Sequence, residues 1–276
     1  MRPHAVPLTS AQIAALRAIA DARSPESYIA GSTPLNRHQT RYSFDIDVFN
    51  DNQDRVAHAA DTDAVSLSAA GFSIKWIRRL SSIHTLEAEL DGEPVRLDWV
   101  VDSDFRFFPV VPDPLFGFVL HPIDLAANKT MAAASRREVR DIVDLVFIHA
   151  SVLPLGAAVW AAVEKSPGFT PEGLIGEIRR NSLYPREAWE ELRSSEPLDP
   201  DAIMQRLRAA LDEAEAFVVR MPTEKVGRLF LEGGEVVQPD PDRLATYAEH
   251  QGKRRGHWPS NPDIAAAMMA RYMSKA

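Results

Sequence analysis

Two aspartates separated by one residue, Asp45 and Asp47, have the types and spacing that most directly suggest chemistry. The apolar residues between and after them, Ile46 and Val48, predict a half-buried strand whose side chains point to opposite faces in turn. Both carboxylates then lie on one face, where they can bind Mg²⁺ or Mn²⁺, ions that prefer oxygen ligands. A plainer explanation stays open, because polar residues that alternate with core residues often lie on a solvated sheet face.

Gly31 and Ser32, which precede this pair, favour the metal-site interpretation. Glycine lets a backbone approach a ligand closely, and a serine hydroxyl can bond phosphate oxygens. Asp98, in the middle of an apolar strand, is either a third metal ligand or a solvent-facing residue of an edge strand; Asp102 and Asp104 are weaker candidates. These residues together predict phosphoryl transfer, in which bound ions lower the pKa of an attacking hydroxyl and stabilise leaving pyrophosphate.

A second set of charged residues lies on predicted helices further along the chain. Lys129 belongs to a mostly apolar helix, from which its ammonium either extends to water or contacts a triphosphate. Asp141 and Asp144 share one helix face, and each follows an arginine, Arg137 or Arg140, by four residues. From periodicity alone we favour surface ion pairs here, which contribute only about 0.3–0.5 kcal/mol each.

The elements that must position these residues predict an α+β fold with a mixed β-sheet and flanking helices, followed by a helical C-terminal domain. The expected domains are residues 1–120 and residues 121–276, and a Pro-rich connector is expected at 109–114. The first domain should contain helices at 11–22, 33–39 and 54–70 and strands at 28–30, 44–49, 72–79, 83–90 and 95–101. The second should contain a β-hairpin near 229–237 and helices at 123–134, 136–149, 156–164, 171–181, 186–193, 201–221, 241–250 and 262–274.

The composition of the 276-residue chain restricts the classes of protein that it can belong to. Hydrophobic residues make up 45% and charged residues 25%, as in globular proteins. No apolar run approaches the roughly 18–20 residues of a membrane span, and no signal-peptide pattern is present, so we expect a cytoplasmic protein without a membrane partner. The absence of cysteine excludes disulfides and thiolate metal sites.

The net charge of −8 argues weakly against avid nucleic-acid binding, which depends on Lys and Arg. Basic residues nevertheless occur in four groups, which are either solvated faces or parts of a local positive patch. These groups are Lys75/Arg78/Arg79, Arg136/Arg137/Arg140, Arg179/Arg180 and Lys253/Arg254/Arg255.

Taken together, the motifs resemble the AbiEii/MenT-type nucleotidyltransferase toxins of the polymerase-β-like nucleotidyltransferase superfamily. The first resembling block comprises residues 29–35 and 41–49, where the family has Gly followed by Gly or Ser, then Arg-x-Ser-x-Asp-hydrophobic-Asp. The second comprises residues 122–129, Arg136 and residues 140–145, where the family has a helix with a single Lys, a basic residue, and then Arg-Asp-x-x-Asp-Leu. Both blocks occur in the order that the family shows.

The resemblance implies an enzyme that transfers NMP from an NTP to an acceptor hydroxyl, with Mg²⁺ bound by the aspartate pair. It implies phosphate contacts at Gly31 and Ser32. Lys129 would contact the triphosphate, and Asp141 or Asp144 would orient Lys129 or the acceptor. Relatives in this family are toxins that act with a separately encoded antitoxin, and some add nucleotides to tRNA 3′ ends. The implied partners are therefore an NTP, RNA and an antitoxin.

Two other functions stay open from the sequence. An enzyme of the same fold could nucleotidylate a protein side chain or a small molecule such as an aminoglycoside, which the net charge of −8 favours. The chain could also be a non-catalytic binding protein on the same scaffold, if the third carboxylate does not complete a metal site.

Overall fold

The computed structural model describes residues 7–37, 39–102, 105–166 and 168–254. This part of the chain divides into two compact units. Unit 1 consists of the described residues up to 102 together with 109–121, and unit 2 consists of 105–108 together with 122–254. The expected domain boundary near residue 120 stays a prediction. The expected helix at 262–274, Asp104 and Arg255 lie outside the described residues.

A seven-stranded mixed sheet forms the centre of unit 1, in the order β3-β4-β5-β2-β1-β7-β6. Its strands are β1 (Ser27–Ala30), β2 (Asp45–Asn50), β3 (Ser73–Leu80), β4 (Ile83–Leu90), β5 (Glu93–Val101), β6 (Val111–Asp113) and β7 (Gly117–Val119). Strand β2 runs parallel to β5 and antiparallel to β1. The Pro-rich segment expected to be only a connector thus contributes β6. That strand lies at the sheet edge, where a proline without an N–H is tolerated.

The helices of unit 1 are α1 (Ser10–Ile19), α2 (Thr33–Asn36) and α3 (Gln53–Ala69). The apolar residues of α1 and α3 form a core with one face of the sheet, to which β5 contributes Val95, Leu97 and Trp99. In a strand, alternate residues point to opposite faces, so Arg96 and Asp98 lie on the other face. A slip of one residue in register would bury these charges in the core, so the apolar pattern of β5 fixes their position.

Unit 2 is mostly helical and carries two small sheets, one of three strands and one in which Phe105–Arg106 pairs antiparallel with Lys253–Arg254. Its helices are α4 (Pro122–Ser135), α5 (Val139–Ser151), α6 (Leu155–Ala162), α7 (Pro171–Asn181), α8 (Glu187–Glu190) and α9 (Pro200–Arg220). Three antiparallel strands follow in the order β9-β8-β10, namely β8 (Arg228–Glu232), β9 (Glu235–Val237) and β10 (Ala248–Gln251).

The helix expected at 241–250 is wrong. Pro241–Thr246 forms a short 3₁₀ segment, and β10 after it pairs with β8. Pairing with a strand distant in sequence outweighs the local helical preference.

The α+β class, with a mixed sheet and flanking helices, is confirmed. Within the described ranges, each helix taken singly is too short or too polar to cross a membrane. Only the helix pair Val139–Ser151 and Leu155–Lys165, taken together, is long and apolar enough for a membrane span, and the two helices are bent by 113° at the break between them.

Candidate functional site

The three candidate metal ligands lie together on neighbouring strands of unit 1. Asp45 and Asp47 come from β2 and Asp98 from β5, and Asp47 stands directly opposite Asp98 in the parallel register. Ligand oxygens of the three carboxylates lie within 4.8 Å of one another. Three negative charges this close repel one another unless a cation lies near them. Three hard oxygen donors in such a group fit Mg²⁺ or Mn²⁺.

Gly31 leaves the space that the Asp47 carboxylate occupies. It follows Ala30, which pairs with Asp47 across β1 and β2. A Cβ atom at Gly31 would lie 1.8 Å from Asp47 Oδ2, and the backbone there has φ +70°, a conformation that favours glycine. Ser32, next in the chain, is buried at the start of α2. The structure therefore places Gly31 of the predicted phosphate turn against Asp47, while the phosphate contacts of Gly31 and Ser32 stay a prediction.

Two hydroxyl groups hold the start of β2. Thr33 Oγ1 donates to the Asp45 carbonyl oxygen at 2.7 Å, and Ser43 Oγ donates to the same oxygen at 3.0 Å. Because these bonds join α2 and the preceding loop to one peptide group, they fix the backbone from which the Asp45 side chain projects.

Asp98 is buried in a central strand, so the explanation that it faces solvent on an edge strand is wrong. Thr85 Oγ1 on β4 donates to Asp98 Oδ1 at 2.5 Å, and Arg96 Nε donates to Oδ2 at 2.9 Å. The hydrogen bond from Arg96 to Asp98 is the main cause that raises the pKa of Arg96, and the charges of Asp98, Asp45 and Asp47 act in the same direction.

Arg96 and Thr85 were missed in the sequence. Arg96 was within reach of prediction, because it lies two residues before Asp98 in the same strand and therefore on the same face. The proximity of Thr85 depends on how β4 pairs with β5, which the local pattern does not specify.

Lys129, Asp141 and Asp144 form a second cluster, which lies within unit 2. Lys129 Nζ on α4 lies 2.8 Å from Asp144 Oδ2 and 3.3 Å from Asp141 Oδ1, both on α5. All three side chains are buried. The explanation of Asp141 and Asp144 as surface ion-pair residues is therefore wrong, and so is the extension of Lys129 to water.

Arg136 completes this cluster from the end of α4. Its Nε and Nη2 atoms donate to the two oxygens of Asp141 at 2.7 and 3.0 Å. Burial raises the pKa of the nearby Tyr184 hydroxyl to about 12, and the charge of Asp141 adds to this shift. Two cations thus face two buried carboxylates, which is the pairing that buried charges need. The catalytic roles of Lys129, Asp141 and Asp144 stay predictions.

Comparisons with known proteins bear on this fold. No family model matches the chain, and no curated protein matches its sequence. A candidate nucleotidyltransferase from H. pylori is similar in structure, with 13% identity and a TM-score of 0.48 over 76% of this chain and 94% of that one. MenT4, a nucleotidyltransferase toxin from Mycobacterium tuberculosis H37Rv, has 16% identity and a TM-score of 0.50 over 78% of this chain and 83% of its own. The fold is that of a nucleotidyltransferase.

The expected resemblance to nucleotidyltransferase toxins is confirmed at the level of structure by the similarity to MenT4. Identities this low concern the fold alone, so the chemistry must be argued from the side chains. Among the residues that the structure describes, Asp45, Asp47 and Asp98 form a group that fits a metal ion.

Proposed function

We propose that this protein is a metal-dependent nucleotidyltransferase that transfers NMP from an NTP to an acceptor hydroxyl and releases pyrophosphate. One observation carries the proposal: three carboxylates on adjacent strands of a nucleotidyltransferase fold have ligand oxygens within 4.8 Å of one another. A scaffold without catalytic function has no need to hold three like charges so close. The close approach of Asp47 to Gly31, which only glycine permits, supports the same conclusion.

The proposed mechanism assigns binding and orientation to residues of unit 1. Asp45, Asp47 and Asp98 would hold Mg²⁺ or Mn²⁺, which when bound lowers the pKa of the acceptor hydroxyl and stabilises the pyrophosphate. Gly31 and Ser32 would bind phosphate oxygens through the backbone and the hydroxyl. The acceptor hydroxyl then loses its proton to solvent, and its oxygen forms a bond to the α-phosphorus as the bond from that phosphorus to pyrophosphate breaks.

We assign the cluster of unit 2 a supporting role. Lys129 would act on the triphosphate as a point charge. Asp141 and Asp144 would hold its ammonium in one place, as their distances of 3.3 and 2.8 Å from Nζ permit.

RNA is the proposed acceptor, with tRNA favoured, and a separately encoded antitoxin is the proposed partner of a cytoplasmic toxin. The sequence resemblance supports both parts of this proposal. The similarity to MenT4, which is a nucleotidyltransferase toxin, supports the toxin assignment.

The decisive experiment is transfer of label from each of the four α-labelled NTPs to total tRNA, with and without Mg²⁺. We expect Mg²⁺-dependent labelling that falls roughly 10²-fold or more in Asp47→Asn, as for removal of one group that stabilises the transition state. Asp201→Asn makes the same change at an exposed carboxylate of α9 and should leave labelling unchanged. No labelling with any NTP, together with no Mg²⁺-dependent NTP binding, would contradict the proposal.

A second acceptor class is favoured by the net charge of −8, which disfavours RNA. The same labelled NTPs, incubated with cell extract protein and with aminoglycosides, decide between the classes. Label on protein or antibiotic and none on RNA would keep the enzyme assignment and replace the acceptor.

A further inference from the structure

Both carboxylate oxygens of Asp98 already have partners in the structure. Oδ1 accepts hydrogen bonds from Thr85 at 2.5 Å and from Arg96 Nη2 at 3.3 Å. Oδ2 accepts one from Arg96 Nε at 2.9 Å, and in the part of the chain described this is its one protein donor. A metal ion that binds Asp98 through Oδ2 must share that oxygen with the guanidinium of Arg96, and the repulsion between the two positive charges favours departure of the guanidinium.

Arg96 is placed to neutralise the whole carboxylate group. Its Cα stands opposite that of Asp45 in the β2–β5 register, and it contacts Asp98 from two positions along the same strand. Three carboxylates within 4.8 Å need a compensating positive charge when no metal ion is bound. The guanidinium of Arg96, which is bound to Asp98, contributes such a charge beside the metal-ligand group.

The two members of the pair differ in their freedom to move. The Arg96 side chain is 52% exposed, whereas that of Asp98 is 9% exposed. Thr85 continues to hold Oδ1 of Asp98 when Arg96 leaves, so the carboxylate keeps its orientation while Oδ2 becomes available. The released guanidinium remains on the substrate side of the sheet, and a planar guanidinium suits bidentate binding of phosphate oxygens.

We propose that Arg96 is a resident counter-ion of the metal site, which exchanges Asp98 for a nucleotide phosphate when the metal ion binds. This inference rests on the proposed function. Arg96 opposes binding of the metal ion alone, because it competes for Oδ2 and adds positive charge. It favours binding of the metal ion together with nucleotide, because the nucleotide gives the displaced guanidinium a new partner. Arg96 thus couples the two binding events.

The test measures Mn²⁺ binding to the full chain by the EPR signal of free Mn²⁺, with and without the α,β-methylene analogues of the four NTPs. In Arg96→Met, Mn²⁺ alone should bind about 5- to 150-fold more tightly, the usual range of coupling between sites. The gain in Mn²⁺ affinity that an analogue causes should shrink by a similar factor. If Arg96 only held Asp98 in place, its loss would disorder Asp98. Arg96→Met would then bind Mn²⁺ alone more weakly than the unaltered chain.

Arg78→Met is the matched control. Arg78 lies on β3 opposite Thr85, on the same face of the sheet, and none of the described residues forms an ion pair with it. Its loss removes the same charge without freeing Asp98, so Mn²⁺ affinity should stay close to that of the unaltered chain. Arg96→Gln, which keeps a single donor arm, should shift both affinities in the same directions by less, and it replaces Arg96→Met if the latter unfolds.

The outcomes separate this inference from the proposed function. Unchanged or weaker binding of Mn²⁺ alone in both Arg96 variants overturns the counter-ion role, even if Asp47→Asn abolishes binding. A chain that binds no Mn²⁺ in any form, with or without an analogue, overturns the metal site itself.

Discussion

Asp47 can occupy its position only because residue 31 has no side chain. The carboxylate oxygen lies where a Cβ atom would be, at 1.8 Å, and φ at Gly31 is +70°. Steric exclusion and backbone conformation thus demand glycine independently. The motif Gly31-Ser32 before Asp45-x-Asp47 therefore reflects the space that the Asp47 carboxylate needs beside residue 31, as well as a predicted phosphate turn.

We expect Gly31→Ala to lose both stability and metal affinity. The left-handed backbone costs a residue with a Cβ roughly 1–2 kcal/mol, and the new methyl group must move the Asp47 carboxylate. Urea unfolding should show the first effect, and Mn²⁺ binding at least about a tenfold loss, the equivalent of about 1.4 kcal/mol.

Gly92→Ala is the matched control, because Gly92 has φ +83° in the β4–β5 turn and a Cβ there would have no neighbour within 4 Å. It should show the stability loss with unchanged Mn²⁺ affinity. Equal loss of metal affinity in both variants would contradict the packing argument.

At the scale of elements, alternation along single strands predicted most of the site. The pattern of β2 placed Asp45 and Asp47 on one face, and the pattern of β5 placed Asp98 opposite its apolar residues. Both predictions depend only on neighbours in sequence. The same reasoning, applied to Arg96, would have predicted its position beside Asp98.

What sequence patterns could not predict depends on which elements pack together. The periodicity of α5 indicated that Asp141 and Asp144 share a face, but not that α4 covers this face with Lys129. Strand β10 exists because β8 offers it a partner. Contacts between elements that are distant in sequence decide which side chains are buried. The carboxylates that were expected in surface ion pairs therefore lie in a buried cluster.

We expect Lys129→Met to destabilise the chain by about 3–5 kcal/mol, the usual cost of removing one partner from a buried ion pair. The ammonium lies 2.8 Å from Asp144 and 3.3 Å from Asp141, and both carboxylates are fully buried. Urea unfolding at pH 7 measures the loss. Adding Asp144→Asn to this variant should recover part of it, because one buried negative charge is then removed.

Arg179→Met serves as the comparison within unit 2. Arg179 is partly exposed and pairs with Asp212 and Glu215 on α9, whose side chains are largely exposed, so its loss should cost less than about 1 kcal/mol. Similar losses for Lys129→Met and Arg179→Met would mean that the Lys129 cluster is solvated after all.

At the scale of the whole molecule, each unit contains a buried histidine that disfavours its charged form. Burial is the largest cause that lowers the pKa of His84 in unit 1 and of His250 in unit 2. His250 stacks on Phe108 with ring centroids 4.4 Å apart, and its Nε2 lies 2.7 Å from the Phe107 carbonyl oxygen. A carbonyl oxygen only accepts hydrogen bonds, so Nε2 carries the proton. The neutral ring with its proton on Nε2 therefore satisfies the hydrogen bond to Phe107.

The sign of the resulting pH dependence follows from the lowered pKa values. In the unfolded chain these histidines bind protons below pH about 6.5, whereas in the folded chain they bind them only at lower pH. The contribution of these histidines to the free energy of unfolding is therefore fully present above this pH. It falls as the pH drops from about 6.5 towards the pKa of each histidine in the folded chain, by up to about 1.4 kcal/mol per pH unit for each histidine.

The variant His250→Gln should flatten this dependence, although it also lowers stability at neutral pH through the loss of the stacked ring. Urea unfolding midpoints between pH 7.5 and 5 would give a slope smaller by up to about 1.4 kcal/mol per pH unit than in the unaltered chain. His58→Gln removes a histidine that is exposed on α3, and its slope should match that of the unaltered chain. If His250→Gln keeps the full slope, then His250 takes up its proton equally in the folded and unfolded chain, and burial in unit 2 does not oppose its charge.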